Sequence, residues 1–508
     1  VLLQISSGGM TELSRSVGVA LAIPSLPSRW AIGDLGPAAY AFAERLAQAG
    51  VRYWFLLPWG PTASALDHSP YNALSAFAGN PLWISPEQLV SDGLCRRYEI
   101  ERLHPYVPWV NYEALGKERL ALLWDCFQNR ARWRFLEPEV ERFYREEQEW
   151  LEEWTLFALL RELADEKPWY QWEAPYRDRE QEAIAEVRRR YAQRLRFHGW
   201  VQFLFFWQLR QLSEWCRLHG VELVGDFPLF VAHDSADVWS HPEYFLLGAA
   251  GNSLAVAGAP PDAFNPEGQW WGQPLYRWEV HQADGFRWWI RRVEHALRYV
   301  RWLRFDHFRG YAACWTIPVG AKTAAEGFWS ASPGRELLGA LQRRWMPLPV
   351  IPEDLGTITP DVELLRRDFG LSSMRVLLFA FPSPAFNPHA PHNIGRECVV
   401  WTSVHDTPPV RGWFRQSSEQ TREAFWRYCG RRVRESAVPR EFLRLALQSS
   451  AWLAVVSVQD LCGLGEEAQM NRPGTSSGNW RWRLPPGMPR KSQWQMLAEM
   501  SALFGRQR

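Results

Sequence analysis

The stretch RWLRFDHFRG (residues 301–310) joins an apolar run of strand length to a carboxylate at its end. Unbroken apolar character suits a strand buried on both faces, as in parallel sheets, so residues 299–306 read as such a strand with Asp306 at its C-terminal end. An acid there is costly unless it is paired or used. Residues i and i+2 of a strand share a face, which points Arg304 and Asp306 the same way. A neighbouring guanidinium favours the ionised carboxylate. A nucleophile needs that form, whereas its partner acid must keep its proton. The pairing nominates Asp306 as a nucleophile.

Three more runs repeat the pattern: VELVGDFP (221–228) with Asp226, VIPEDLG (350–356) with Glu353 and Asp354, and VVWTSVHD (399–406) with Asp406. Alternation turns only one of Glu353 and Asp354 inward and does not choose between them. Plainer roles exist for two of these acids. Asp406 precedes Thr407-Pro408-Pro409 and would serve as a helix N-cap; Asp226, before Phe227-Pro228, would hold a turn. Asp306 has no such role.

Working outward, strand-like runs recur at 18–23, 51–58, 221–226, 299–306, 348–353, 374–381, 398–403 and 452–459. Helical patterns separate most of them, at 37–49, 197–219, 284–298, 335–345, 360–369, 419–448 and 492–504. Eight strands alternating with helices predict an α/β fold, a (β/α)8 TIM barrel, whose reactive groups lie at the C-terminal ends of strands. The barrel is expected to be a single catalytic domain over residues 10–508, with Met10 as a conventional start. A largely helical subdomain is expected to be inserted at 60–200, between strands two and three. Residues 227–283, rich in Pro, Gly, Asn and Trp, are expected to form a long active-site loop.

Composition narrows the chemistry. Fifty-seven Lys and Arg balance 56 Asp and Glu in 508 residues, for a net charge of +1. Nucleic acid and anionic membranes call for a basic surface, so a neutral substrate fits better. No apolar run reaches the length of a membrane span, and no signal peptide is evident. Seven scattered cysteines without a C-x-x-C pair read as reduced thiols of a cytoplasmic protein, with a plastid as the alternative. Thirty-one tryptophans offer flat apolar faces suited to the C–H faces of sugar rings, although any one of them also serves core packing. Phosphate loops, dinucleotide fingerprints, H-E-x-x-H and G-x-S-x-G elbows are lacking, so neither metal nor organic cofactor is expected.

With these residues in place, the chain resembles the amylomaltase or disproportionating-enzyme family, the 4-α-glucanotransferases of the α-amylase superfamily. The motifs are SPYNALSAFAGNP (69–81), GDFPLFVAHDSADVW (225–239), GAPPDAFNPEGQWWGQPLY (258–276), RFDHFRG (304–310), PEDLG (352–356), His405-Asp406, QDLCGLGEEAQMNRPGT (459–475) and GNWRWRL (478–484). They follow the family's order over nearly the whole chain. The resemblance implies a retaining double displacement on α-1,4-glucans, with Asp306 as nucleophile, Glu353 as general acid/base and Asp406 gripping sugar hydroxyls. It implies a donor site lined by His405, Arg304, Asp226 and Tyr71, glucan contacts from Trp271 and Phe264, and further contacts from Asn471 and Ser69. Maltooligosaccharides, starch or glycogen chains and glucose are the implied partners, and a monomer or weak homo-oligomer is expected. The chain departs from the family at Ala263, Leu378, Pro382 and Thr407–Pro409, which bear on acceptor contacts and chain-length preference. A hydrolase would share the carboxylate trio and differ in admitting water; a silent glucan-binding scaffold would have no use for it.

Overall fold

The computed structural model describes residues 14–261, 266–381 and 383–507, so Met10, Ala263, Phe264 and Pro382 lie outside the described residues. Eight parallel strands carry the fold: β1 (Ser16–Ala20), β2 (Tyr53–Phe55), β3 (Glu222–Phe227), β4 (Trp302–Phe305), β5 (Val350–Pro352), β6 (Ser373–Val376), β7 (Cys398–Trp401) and β8 (Leu453–Ser457). They are ordered β6-β7-β8-β1-β2-β3-β4-β5, and each overlaps one of the expected apolar runs, although β1 begins two residues before its run and the second half of the sixth run, Leu377–Ala380, forms a short 3-10 turn. β1 is buried from Ser16 to Val19 and β8 throughout, as double-faced burial requires.

The two ends of this order, β5 and β6, meet without a regular ladder, and a side chain bridges them. Asp354, just after β5, accepts hydrogen bonds at 2.5 Å from the Ser373 hydroxyl and the Met374 N–H of β6. Arg366 and Arg375 lie 3.5 and 3.7 Å from the same carboxylate. The sheet is thereby nearly closed as a barrel.

Helices follow most strands: α1 (Pro37–Gln48), α2 (Ala192–Leu218), α3 (Arg287–Leu297), α4 (Gly334–Gln342), α5 (Pro360–Asp368), α6 (Glu419–Tyr428), α7 (Val438–Gln448) and α8 (Lys491–Leu503). The expected continuous helix over 419–448 is a pair. Gly430 takes a left-handed φ of +69°, which stops α6, and Pro439 sits in the first turn of α7, where its missing N–H costs nothing.

The connection between β2 and β3 contains long helices at Tyr112–Gln128 and Gln148–Leu163 besides α2. Their core is aromatic: Phe127 stacks on Trp133 at 5.8 Å, and Trp200 lies against both. Buried Glu147 ties this layer to the barrel through a hydrogen bond with His295 of α3 and an ion pair with Arg298. The segment read as one long loop after β3 is more ordered than expected. Its strands Ala255–Ala259 and Gln269–Pro274 join Ala313–Pro318 and Phe328–Ala331 in a four-stranded antiparallel sheet, ordered 269–274, 255–259, 313–318, 328–331. Gly258 and Gly272 interrupt the side-chain pattern of the first two strands, which concealed them in the sequence.

Candidate active site

Four strand ends supply the acids. The C-terminal end of β3 presents Asp226, that of β4 Asp306, that of β5 Glu353, and the turn beyond β7 His405 and Asp406. Pro70, with its preset φ, opens the single turn Pro70–Asn72 that brings Tyr71 to them. Gln273 donates to the Asn72 side chain at 2.7 Å, anchoring that turn to the antiparallel sheet.

One wall of the site is a continuous chain of hydrogen bonds joined by one ring stack. Arg304 Nη1 donates to both oxygens of Asp226 at 2.8 Å and to Asp306 Oδ1 at 3.0 Å. The Tyr71 hydroxyl donates to Asp226 Oδ2 at 2.6 Å, and its ring stacks on His405 with centroids 5.1 Å apart. His405 Nε2 lies 3.4 Å from Asp406 Oδ2. Asn471 closes the chain, donating from Nδ2 to Asp406 Oδ1 at 2.6 Å and from its backbone N–H to the His405 carbonyl at 3.1 Å. Buried Trp480 backs the wall, with ring centroids 5.7 Å from Tyr71 and 5.8 Å from His405. A depression beside it is lined by Asp226, Arg304 and His405 with Phe55, Trp401 and Thr407.

Glu353 stands on its own. It is turned toward the site, while Asp354 is committed to the barrel seam, which resolves the choice that alternation left open. Its Oε2 accepts a single hydrogen bond, 2.8 Å long, from the His307 backbone N–H. His307 adopts a left-handed φ of +48°, strained for a residue with a Cβ, and that conformation directs its amide at the acid. The Trp271 ring meets the His307 ring edge-on at 4.8 Å.

Electrostatics separates the acids. Burial lifts Asp306 to about 6 against the pull of Arg304. Arg304 favours the ionised form of Asp306, as expected, but burial outweighs it and the neighbouring carboxylates add to the rise. Burial lifts Glu353 further, to about 8, and the charge of Asp306 adds to the effect. Asp406 goes the other way, to about 2, because His405 and Asn471 outweigh burial. Burial disfavours charge on His405, yet Asp406 raises its proton affinity overall. One carboxyl thus holds a proton at neutral pH beside others that do not, the division that acid-and-nucleophile chemistry requires.

The structure gathers Asp306, Glu353, Asp406, Arg304, His405, Asp226, Tyr71, Asn471 and Trp271 at one mouth of the barrel. Asp406 does not cap the following helix, whose N-cap is Pro409, and Asp226 lies within β3 instead of holding a turn. Ser69 only precedes the Tyr71 turn, with its carbonyl accepting from the Asn72 N–H. Phe264 is outside the described residues. Two participants were not foreseen: Trp480, which sits inside a quoted motif, and the His307 amide, a backbone group that no side-chain pattern announces.

The family profile for 4-alpha-glucanotransferase matches residues 21–489. The chain belongs to that family. It is 40% identical to the 4-alpha-glucanotransferase of Aquifex aeolicus, over 97% of this chain and 100% of that protein. It is 42% identical to that of Thermus thermophilus, over 94% and 96%, and 37% identical to the chloroplastic/amyloplastic enzyme of Solanum tuberosum, over 93% and 82%. Among solved structures, amylomaltase from Streptococcus agalactiae in complex with acarbose superposes with a TM-score of 0.94 at 29% identity, covering 97% of this chain and 100% of that one. The activity is that of the family, 4-alpha-glucan transfer, performed on an amylomaltase fold. Among the described residues no helix is long and apolar enough to cross a membrane.

Proposed function

We propose that the enzyme moves α-1,4-glucan segments between maltooligosaccharides, starch or glycogen chains and glucose, with Asp306 as nucleophile, Glu353 as acid/base and Asp406 as the clamp on sugar hydroxyls. The observation that carries the assignment is the geometry of the mouth, where Arg304 holds Asp306 at 3.0 Å while Glu353 accepts one hydrogen bond, from the His307 amide; burial raises the proton affinity of Glu353 further than that of Asp306, in keeping with these roles. At neutral pH Glu353 protonates the glycosidic oxygen while ionised Asp306 attacks the anomeric carbon through an oxocarbenium-like transition state. The aglycone leaves and a glucosyl–Asp306 ester remains. Its formation removes the negative charge of Asp306, and the deprotonated Glu353 is then the base that takes the proton of an incoming 4-hydroxyl. The second displacement restores both groups.

The surrounding wall has work in both steps. Arg304, shared between Asp226 and Asp306, fixes the nucleophile's orientation. Ionised Asp406 places negative charge near the forming cation, and Asp226, His405 and Tyr71 offer further acceptors and donors to hydroxyls. Trp271 provides an apolar ring face beside His307, and Ser69, Phe264 and Asn471 complete the expected set of glucan contacts.

The domain reading, a single catalytic unit with inserted walls at 60–200 and 227–283, is proposed with it. So are a cytoplasmic or plastid setting, in keeping with seven unpaired cysteines, and a monomeric or weakly associating state. Incubation with maltotriose tests the activity. Glucose plus a ladder of longer maltodextrins at a constant number of reducing ends is expected; rising reducing ends without longer products would mean hydrolysis and overturn the transfer reading.

A further inference from the structure

Asp67 and His68, in the turn that leads into Tyr71, both take left-handed φ angles, at +49° and +53°. Asp and His visit that region more readily than most residues with a Cβ, yet two in succession persist only where other contacts hold them. The half-buried Asp67 carboxylate accepts from two consecutive amides, the Gly478 N–H at 3.2 Å and the Asn479 N–H at 2.9 Å. The His68 ring stacks on Tyr112 with centroids 4.1 Å apart, and the Tyr112 hydroxyl donates to the Trp480 carbonyl at 3.0 Å. The turn follows β2 and grips residues 478–480, which lie beyond β8; those two strands flank β1 in the sheet.

The gripped segment is the mount of Asn471. On one side of Asn471, the Met470 carbonyl accepts from the Trp480 N–H at 2.7 Å. On the other, the Arg472 N–H donates to the Asn479 side chain at 2.9 Å. The dipeptide Asn479-Trp480 therefore holds Asn471 from both directions, and Asn471 in turn reaches Asp406 at 2.6 Å. The rest of the loop has less to fix it: residues 472–478 are exposed, with Gly474 and Gly478 at left-handed φ of +84° and +87°. Asn479, by contrast, is buried. A carboxylate accepting from its amide is a stronger tie than a neutral acceptor would be.

We infer that Asp67 is a positioning residue for the transfer reaction: by fixing the Asn479 amide it sets Asn471 against Asp406, the clamp on sugar hydroxyls. Its carboxylate binds backbone amides and acts on the site through Asn471. The same turn continues into Tyr71, so two arms of the bonded wall, Tyr71–Asp226 and Asn471–Asp406, share one anchor. Strain at residues 67 and 68 is offset by the contacts it permits on the far loop. The inference rests on the transfer reading above, in which Asp406 acts on the transition state.

Asp67→Gly tests the bonds without adding strain, since it removes both acceptors and suits the left-handed φ. On maltotriose it is expected to lower kcat about tenfold with KM changed less than about twofold, the pattern of contacts felt in the transition state. In an Asn471→Ala background the same change should cost less than about twofold, because the side chain it positions is gone. Asp67→Asn keeps one acceptor and tolerates the same backbone, so it should recover most of the loss. An unchanged kcat, or an equal tenfold loss in both backgrounds, would overturn the role; should Asp67→Gly not fold, the Asp67→Asn cycle decides in the same way. Hydrogen exchange over residues 470–480 needs no turnover. Faster exchange there in the Asp67 variants, with the barrel strands protected as in the wild type, supports the anchor, and unchanged exchange refutes it. A wild type inert on maltotriose would instead count against the transfer reading, and the exchange would still decide Asp67.

Discussion

The two flanks of the active site are built to different standards. On the β3–β4–β7 flank every functional side chain is held by another, from Asn471 through Asp406, His405 and Tyr71 to Asp226, Arg304 and Asp306. On the β5–β6 flank Glu353 has a single backbone donor, and the loop beyond β6 leaves Phe379 37% and Phe386 99% exposed. Fixed charges demand partners, since a buried unpaired ion is costly. A carboxyl that must give and retake a proton is better served by few bonds and an apolar setting, because each donor to its ionised form would lower its proton affinity. The bonded flank holds the nucleophile and the groups around it in place; the sparse flank carries the acid that trades protons.

Breaking the bonded flank at the nucleophile gives the largest effect. Asp306→Asn should lower kcat by about 10⁴-fold or more, because no intermediate can form, while glucan binding persists in a gel or by calorimetry. On the sparse flank Glu353→Gln should cost about 10²- to 10⁴-fold, and azide with an activated glucosyl donor should restore part of the rate by bypassing the base. Measured against pH, kcat/KM should be bell-shaped. Below about 6 Asp306 takes up a proton and stops attacking, and above about 8 Glu353 loses its proton and stops donating; a flat profile across both limbs would contradict the split. Tyr71→Phe removes one donor to Asp226 and should cost about tenfold, chiefly in kcat if the wall acts by orientation. Phe386→Ala should change maltotriose turnover by less than about twofold, confirming that its exposed ring is dispensable for short donors.

Much of this contrast was legible in the sequence. The eight strands announced themselves as unbroken apolar runs, and acids at their ends marked the mouth of the barrel. The antiparallel sheet did not announce itself, because AVAGA and QWWGQP break alternation with glycine and owe their pairing to distant partners. The choice between Glu353 and Asp354 was equally invisible: it depends on Ser373 and Met374, about twenty positions onward in the chain. The size of each pKa shift was beyond reach for a related reason, since burial is a property of the assembled mouth. Arg304 looked decisive locally, and desolvation overruled it.

The His307 amide couples the positions of the two reacting acids. His307 is covalently next to Asp306 and hydrogen-bonded to Glu353, so the two carboxyls share one peptide unit as a common mount. A single backbone group thereby sets the reference position of both acids. Stereochemical outcome in a retaining enzyme depends on the separation of its two carboxyls. That separation is tied here to one short piece of backbone, independent of the side-chain network that lines the opposite wall.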